Sequence, residues 1–198
     1  MIINEYNELY TYKLSFYRYI SFDMDLEKNM VAKYEFLYEK LYLKTNNNTL
    51  FDAFRYCDLY KITVTKKMKC DNAKATTLYN DNHPVVQRLY NNFKDNYEPT
   101  YNCFGAAVLN KKYLIDLNSH NLECFLKGDN YKEEKKTPKK EHLVVYYKNS
   151  EPIHIARYNK NDKLYEHKIG FSKGIKYFTT DNIREFYNYD NKKYYIKQ

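Results

Sequence analysis

Residues 142–169 place the strongest constraint on the fold, because short apolar segments alternate there with polar turns. Segments 142–147, 152–158 and 164–169 are rich in β-branched and aromatic residues and follow the period of two that is typical of strands. The connections between them are short and polar, and connections of this length join antiparallel neighbours. The sequence therefore predicts an antiparallel β-meander, continued by a strand over 175–179, a short helix over 182–187 and an edge strand over 194–196.

The N-terminal residues 1–96 are predicted to form a mainly helical lobe. Apolar side chains recur at near-helical spacing as far as Lys44, and Asp23 and Asp25 precede them as possible helix caps. The other elements predicted for this lobe are a helix over 50–56, a strand over 60–65 and a helix that starts at Asn82-His83-Pro84.

The order of these elements predicts an α+β fold. Residues 97–198 are expected to form the core, in which a helix beginning at Cys103 packs on the antiparallel sheet. Residues 1–96 would be a helical extension of that core. The highly charged segment 127–141 is predicted to be a surface loop of the core.

Composition narrows the class of protein. Hydrophobic residues make up 43% of the 198-residue chain, which is enough for a packed core and excludes the composition of a disordered chain. No apolar run is long enough to span a membrane, and no secretory signal is seen, so a cytoplasmic, intracellular protein is expected. The 25 tyrosines, the abundant Lys and Asn and the absence of Trp indicate an AT-rich coding sequence, which suits a virus, a low-GC bacterium or a protist.

The formal net charge is +8, from 33 basic and 25 acidic residues. Basic side chains are dispersed along the chain, and Lys far outnumbers Arg, the residue that binds bases in a bidentate manner. We therefore expect nucleic-acid binding that is at most weak and non-specific.

The four cysteines, at positions 57, 70, 103 and 124, lack the spacing of a zinc site, and no phosphate-binding glycine loop is present. No metal or cofactor is expected, and the cysteines are interpreted as reduced thiols. Among them Cys103 stands where an extended segment gives way to a helix. A thiol at a helix N-terminus is close to unpaired backbone N–H groups, which lower its pKa, so Cys103 is the candidate nucleophile.

A cysteine nucleophile needs a base, and His154 in the second strand of the meander is the candidate. Alternation predicts that His154 shares with Ala156 and Tyr158 the face that the Cys103 helix covers. A third residue should orient the imidazole ring. His167 on the next strand is preferred, and Glu166 and Tyr177 remain alternatives because the sequence does not determine the register.

Taken in order, these segments resemble the NlpC-type branch of the papain-like cysteine hydrolases, over residues 97–180. The segments that carry the resemblance are Asn102-Cys103-Phe104-Gly105-Ala106-Ala107, Leu143-Val144-Val145-Tyr146-Tyr147, Ile153-His154-Ile155-Ala156-Arg157-Tyr158 and His167-Lys168-Ile169-Gly170. The resemblance implies a papain-like core in which Cys103, His154 and His167 are catalytic. Residues 1–96 match no pattern of that family.

The expected function is that of a cysteine hydrolase or acyltransferase, which cleaves or transfers an amide, ester or thioester acyl group of a peptide, a protein or another acyl-bearing substrate. The alternative is a non-catalytic protein on a degenerate hydrolase scaffold, whose basic charge serves binding to a host or other partner. The oligomeric state is not predicted.

Overall fold

The structure is a computed structural model that describes residues 17–26, 30–44, 47, 49–70, 73–79, 82–109 and 111–198. The described residues form ten β-strands in two antiparallel sheets, together with three α-helices and one 3-10 turn. The predicted α+β fold, a papain-like helix-on-sheet core with a helical N-terminal extension, is therefore wrong. The protein is mostly β-sheet, and helices cover parts of both sheets.

The first sheet occupies the region that was predicted to be helical. Its strands follow one another in chain order as β1 (Tyr17–Leu26), β2 (Met30–Lys44), β3 (Leu50–Cys70) and β4 (Ala73–Tyr79). In β2 every second residue from Ala32 to Tyr38 is buried, and three of these four residues are aromatic. A period of two with aromatic side chains suits a strand, so the helices predicted over 23–44 and 50–56 are absent. Residues 1–16 of the predicted lobe lie outside the described residues.

Helix α1 (Pro84–Asn96) confirms the helix predicted after Asn82. It packs on the first sheet through Val86, Leu89 and Phe93, which are buried with the strand residues of that core. The N-cap of the helix is His83, whose side-chain Nδ1 accepts a hydrogen bond from the backbone N–H of Val85 at 3.3 Å.

The second sheet contains the predicted meander. Its strands are β5 (Tyr131–Glu134), β6 (Leu143–Lys148), β7 (Glu151–Asn159), β8 (Leu164–His167), β9 (Lys176–Phe178) and β10 (Asn191–Lys197), in the spatial order β5-β10-β6-β7-β8-β9. The hairpins from β6 to β9 confirm the prediction. The last strand lies inside the sheet, since β10 pairs with both β5 and β6, so its assignment as an edge strand is wrong.

Two helices cover one face of the second sheet. Helix α2 (Cys103–Val108) and helix α3 (Ser119–Gly128) bury Phe104, Ala107 and Phe125 in a core shared with the sheet and with Leu43 and Ala53 of the first sheet. The opposite face is covered by the 3-10 turn Asn182–Glu185 and the residues after it.

The charged loop predicted over 127–141 is shorter than expected, because α3 extends into its start and β5 lies within it.

Candidate functional site

Cys103 is the first residue of α2, as the sequence predicts, and Asn102 determines where that helix begins. The Oδ1 atom of Asn102 accepts hydrogen bonds from the backbone N–H of Gly105 at 3.1 Å and of Ile115 at 3.3 Å. Its amide nitrogen donates to the carbonyl oxygen of Ile115. One polar side chain thus caps α2 and ties it to a buried neighbouring segment, which holds Cys103 in place.

The sheet face under α2 differs from the predicted one. Helix α2 packs against the face that carries Val145 and Ile155, whereas His154 shares the opposite face with Tyr146 and Ala156. Alternation along β7 does place His154 and Ile155 on opposite faces, as predicted. The expectation that α2 covers the face with His154 is wrong. The apolar Ile155 occupies the position beneath the helix.

The sulfur of Cys103 lies close to the backbone of β7, although the residue keeps some solvent exposure. Burial raises the pKa of the thiol to about 11, while the backbone N–H groups of Ile155, Phe104 and Cys103 itself lower it. Burial is the stronger effect, so the expectation of a lowered pKa at the helix start is wrong. The resting thiol is neutral at pH 7.

His154 and His167 form a buried pair on the face opposite α2. Nε2 of His154 lies 3.0 Å from Nδ1 of His167, and the two rings are nearly parallel, at 10°. Both side chains are completely buried. The structure therefore brings together the two histidines that the sequence proposed as base and orienting residue.

Both rings are neutral near pH 7. Burial, and then the neighbouring His167, lowers the pKa of His154 well below its usual value, and burial lowers the pKa of His167 to about 4. One nitrogen of each ring, Nδ1 of His154 and Nε2 of His167, is buried without a hydrogen-bond partner. A buried polar atom that lacks a partner is costly, so these two atoms are the unusual feature of the site.

Aromatic side chains enclose the histidine pair. The ring of Tyr187 stacks on His154 with a centroid distance of 4.5 Å and an interplanar angle of 19°. The ring centroid of Tyr146 lies 5.8 Å from that of His154 and 6.1 Å from that of His167. The ring centroid of Phe178 lies 5.7 Å from that of His167. These rings exclude water from the pair, and their contribution could not be found from sequence because tyrosines are abundant throughout the chain.

The two alternatives for the third residue lie away from His154. The Glu166 carboxylate pairs with Arg157, at 2.8 Å from its guanidinium, and Glu166 and Tyr177 are register partners in β8 and β9. Tyr177 is 48% exposed. Neighbouring residues of a strand point to opposite faces, so Glu166 points away from His154 when His167 points toward it.

Cys103 and His154 share no hydrogen bond in the described part of the chain. Two observations nevertheless relate them. The Ile155 amide that reaches the sulfur belongs to the residue directly after His154, and Tyr187 both stacks on His154 and interacts electrostatically with the Cys103 thiol. The thiol and the imidazole thus approach the same stretch of β7 from the two sides of the sheet.

Other kinds of site find little support among the described residues. They contain no group of three His, Cys, Asp or Glu side chains suited to a metal ion. No described helix combines the length and apolar character needed to cross a bilayer. A cleft of about 450 Å³ lies between α1 and the first sheet, lined by Tyr56, Tyr90, Phe93 and Tyr97 among others, and includes neither Cys103 nor His154.

Comparison of the chain with protein-family models, with curated proteins and with solved structures finds no match. The interpretation of the site therefore depends on its own geometry and chemistry.

The neutral histidine pair predicts a dependence of stability on pH. His167 has a pKa of about 4 in the folded protein and about 6.5 when unfolded, so the unfolded chain binds more protons as the pH falls through this range. Stability is therefore lost on acidification, and His167 alone should account for about 2 kcal/mol between pH 7.5 and pH 5. Urea unfolding of the wild type and of His167→Gln, which cannot be protonated, measures the difference. An equal loss in both proteins would contradict the prediction.

Proposed function

We propose that the protein is a cysteine hydrolase or acyltransferase, with Cys103 as nucleophile, His154 as general base and His167 as the residue that orients His154. The histidine pair is the observation that carries the proposal. Nε2 of His154 is held by His167, while Nδ1 is buried and unpartnered, as suits an atom that must accept a proton. The arrangement of nucleophile, base and orienting group recurs on unrelated folds, so a β-rich fold is compatible with it.

The proposed reaction starts from neutral groups. For Nδ1 of His154 to act as base, the ring must carry its hydrogen on Nε2 and donate it to Nδ1 of His167. Because the two side chains share no hydrogen bond at rest, the step requires a shift of the Cys103 or His154 side chain that brings the sulfur and Nδ1 together. As the Cys103 sulfur then forms a bond to the substrate carbonyl carbon, the thiol proton moves to Nδ1 of His154. The bond to the leaving group then breaks, and the leaving nitrogen, oxygen or sulfur takes that proton.

The thioester left on Cys103 is released by a second attack. In a hydrolase water is the attacking group, and in an acyltransferase it is an amine, alcohol or thiol, activated in either case by His154. The backbone N–H groups of Cys103 and Phe104 lie close to the sulfur, and they support the proposal because N–H groups beside a nucleophile can bind the oxyanion that forms there. The substrate class follows from this chemistry: a peptide, a protein or another molecule with an amide, ester or thioester.

Acylation by p-nitrophenyl acetate tests the proposal, because this activated ester needs no specific binding pocket. A background protein with Cys57→Ser, Cys70→Ser and Cys124→Ser leaves one thiol, and released nitrophenolate together with mass mapping reports its acetylation. We expect Cys103→Ala to abolish the reaction and His154→Ala to slow it about a hundredfold. His167→Ala should slow it about tenfold, because an orienting residue contributes less than the base.

His120→Ala is the matched control, because His120 is exposed on α3 and should leave the rate unchanged. Folding of each variant is checked by circular dichroism. Acetylation that persists in Cys103→Ala, or a His154→Ala variant that reacts as fast as the background protein, would refute the proposed function. A protein that serves only in binding would show no difference in rate between His154→Ala and the background protein.

A further inference from the structure

Tyr187 touches both halves of the candidate site. Its ring lies 4.5 Å from that of His154 and is inclined by only 19°, which is a stacked arrangement. Burial raises the pKa of Tyr187 to about 12, with a further contribution from the Cys103 thiol, while the backbone amide of Gly170 lowers it. Cys103 and Gly170 are thus the electrostatic neighbours of Tyr187, and its ring covers the imidazole.

The hydrogen bond to His167 does not by itself determine where Nδ1 of His154 points. A turn about the Cβ–Cγ bond bends the hydrogen bond at Nε2, so that bond opposes large turns of the ring but leaves smaller ones, because the χ2 preference of His is broad. Such a turn moves Nδ1 sideways. A second aromatic ring lying flat on the imidazole fixes the plane, and with it the direction of Nδ1.

We infer that Tyr187 is a positioning residue, whose ring holds the plane of the His154 imidazole and with it the direction of Nδ1. This inference rests on the proposed function, since the direction of Nδ1 matters only if His154 accepts a proton. The role belongs to the ring and not to the hydroxyl group. Tyr187→Phe should therefore retain it, and Tyr187→Leu should lose it.

Tyr187 follows a short turn, so its contact with His154 can be altered without removing a helix or a strand. Within the 3-10 turn Asn182–Glu185 only Ile183 is buried, and the backbone N–H of Tyr187 donates to its carbonyl oxygen. Phe186, the preceding residue, is 48% exposed and stacks on Phe178. Phe186→Leu is therefore a matched control that removes a neighbouring aromatic ring but leaves the ring on His154.

The experiment combines the p-nitrophenyl acetate assay with proton NMR of the His154 ring. In the single-thiol background, we expect Tyr187→Leu to slow acetylation of Cys103 about tenfold or more, as misplacement of a reacting group does. Tyr187→Phe and Phe186→Leu should remain within about threefold of the background rate. The His154 Cε1 proton resonance, assigned with His154→Gln, should move downfield in Tyr187→Leu alone, because it loses the shielding of the stacked ring.

Each result separates this inference from the proposed function. If Tyr187→Leu reacts at the background rate while His154→Ala is slow, the positioning role is wrong and the proposed function stands. If Tyr187→Phe slows as much as Tyr187→Leu, the hydroxyl group matters and the role assigned to the ring is overturned. If His154→Ala itself reacts at the background rate, the proposed function fails, and the NMR shift then reports only a packing contact.

Discussion

Gly105→Ala is expected to destabilise the protein severely, because the added methyl group would collide with the backbone. A Cβ atom at this position would lie 1.8 Å from the carbonyl oxygen of Tyr113, far inside contact distance. No side-chain rotation can relieve a clash with a backbone atom. Since Gly105 also donates its N–H to Asn102, a shift of α2 would break the cap beside Cys103. We expect a loss of at least about 4 kcal/mol in the free energy of unfolding.

Urea unfolding and thermal melting measure this loss, which should lower Tm by about 10 °C or more in a chain of this size. Gly170→Ala is the matched control. No atom lies within 4 Å of a Cβ built on Gly170, but its φ of +51° strains any residue other than glycine. The control should therefore lose only about 1 kcal/mol. If both variants lose the same amount, the close approach of α2 to residue 113 is not as the structure has it.

Glu98→Gln is expected to cost about 3 kcal/mol, because it leaves a completely buried ammonium group without its counter-ion. Lys168 is 0% exposed, and its Nζ atom lies 3.2 Å from Oε2 of Glu98 and 4.5 Å from the ring centre of Tyr101. The same carboxylate oxygen accepts hydrogen bonds from the Tyr101 hydroxyl and from the Gly174 amide. The carboxylate thus joins the segment before α2 to the loop after β8, next to His167.

A double-mutant cycle with Lys168→Met measures the pair. Lys168→Met removes the buried charge and keeps the volume of the side chain. Glu98 is partly exposed and retains two neutral donors, so we expect the free energy of unfolding to fall by only about 1 to 2 kcal/mol. The double variant should be more stable than the sum of the single losses implies. Glu123→Gln in the exposed Glu123–Lys127 pair of α3 is the control, and it should show little change. Additive losses for Glu98 and Lys168 would contradict a coupled buried pair.

The two halves of the chain differed in how well sequence predicted them. Strands β6 to β9 could be predicted, because alternation and short polar turns are local signals that leave one simple pairing. In β2 the apolar residues fit two periods at once: Tyr34, Leu37 and Leu41 follow a helix, whereas Ala32, Tyr34 and Phe36 follow a strand. Pairing with β1 and β3, the strands before and after β2 in the chain, decides between them. Local periodicity carries no information about that pairing.

The candidate site shows the same division. Sequence alone sufficed to place Cys103 at the start of a helix and to put His154 and Ile155 on opposite faces of a strand. It also showed that only alternate residues of β8 are able to face His154. These results follow from local geometry. Only the tertiary structure decided that α2 covers the Ile155 face, that burial raises the pKa of Cys103 and that Tyr187 stacks on His154. Those outcomes depend on which distant segments pack together and on how much solvent they exclude, and neither is encoded in the spacing of neighbouring residues.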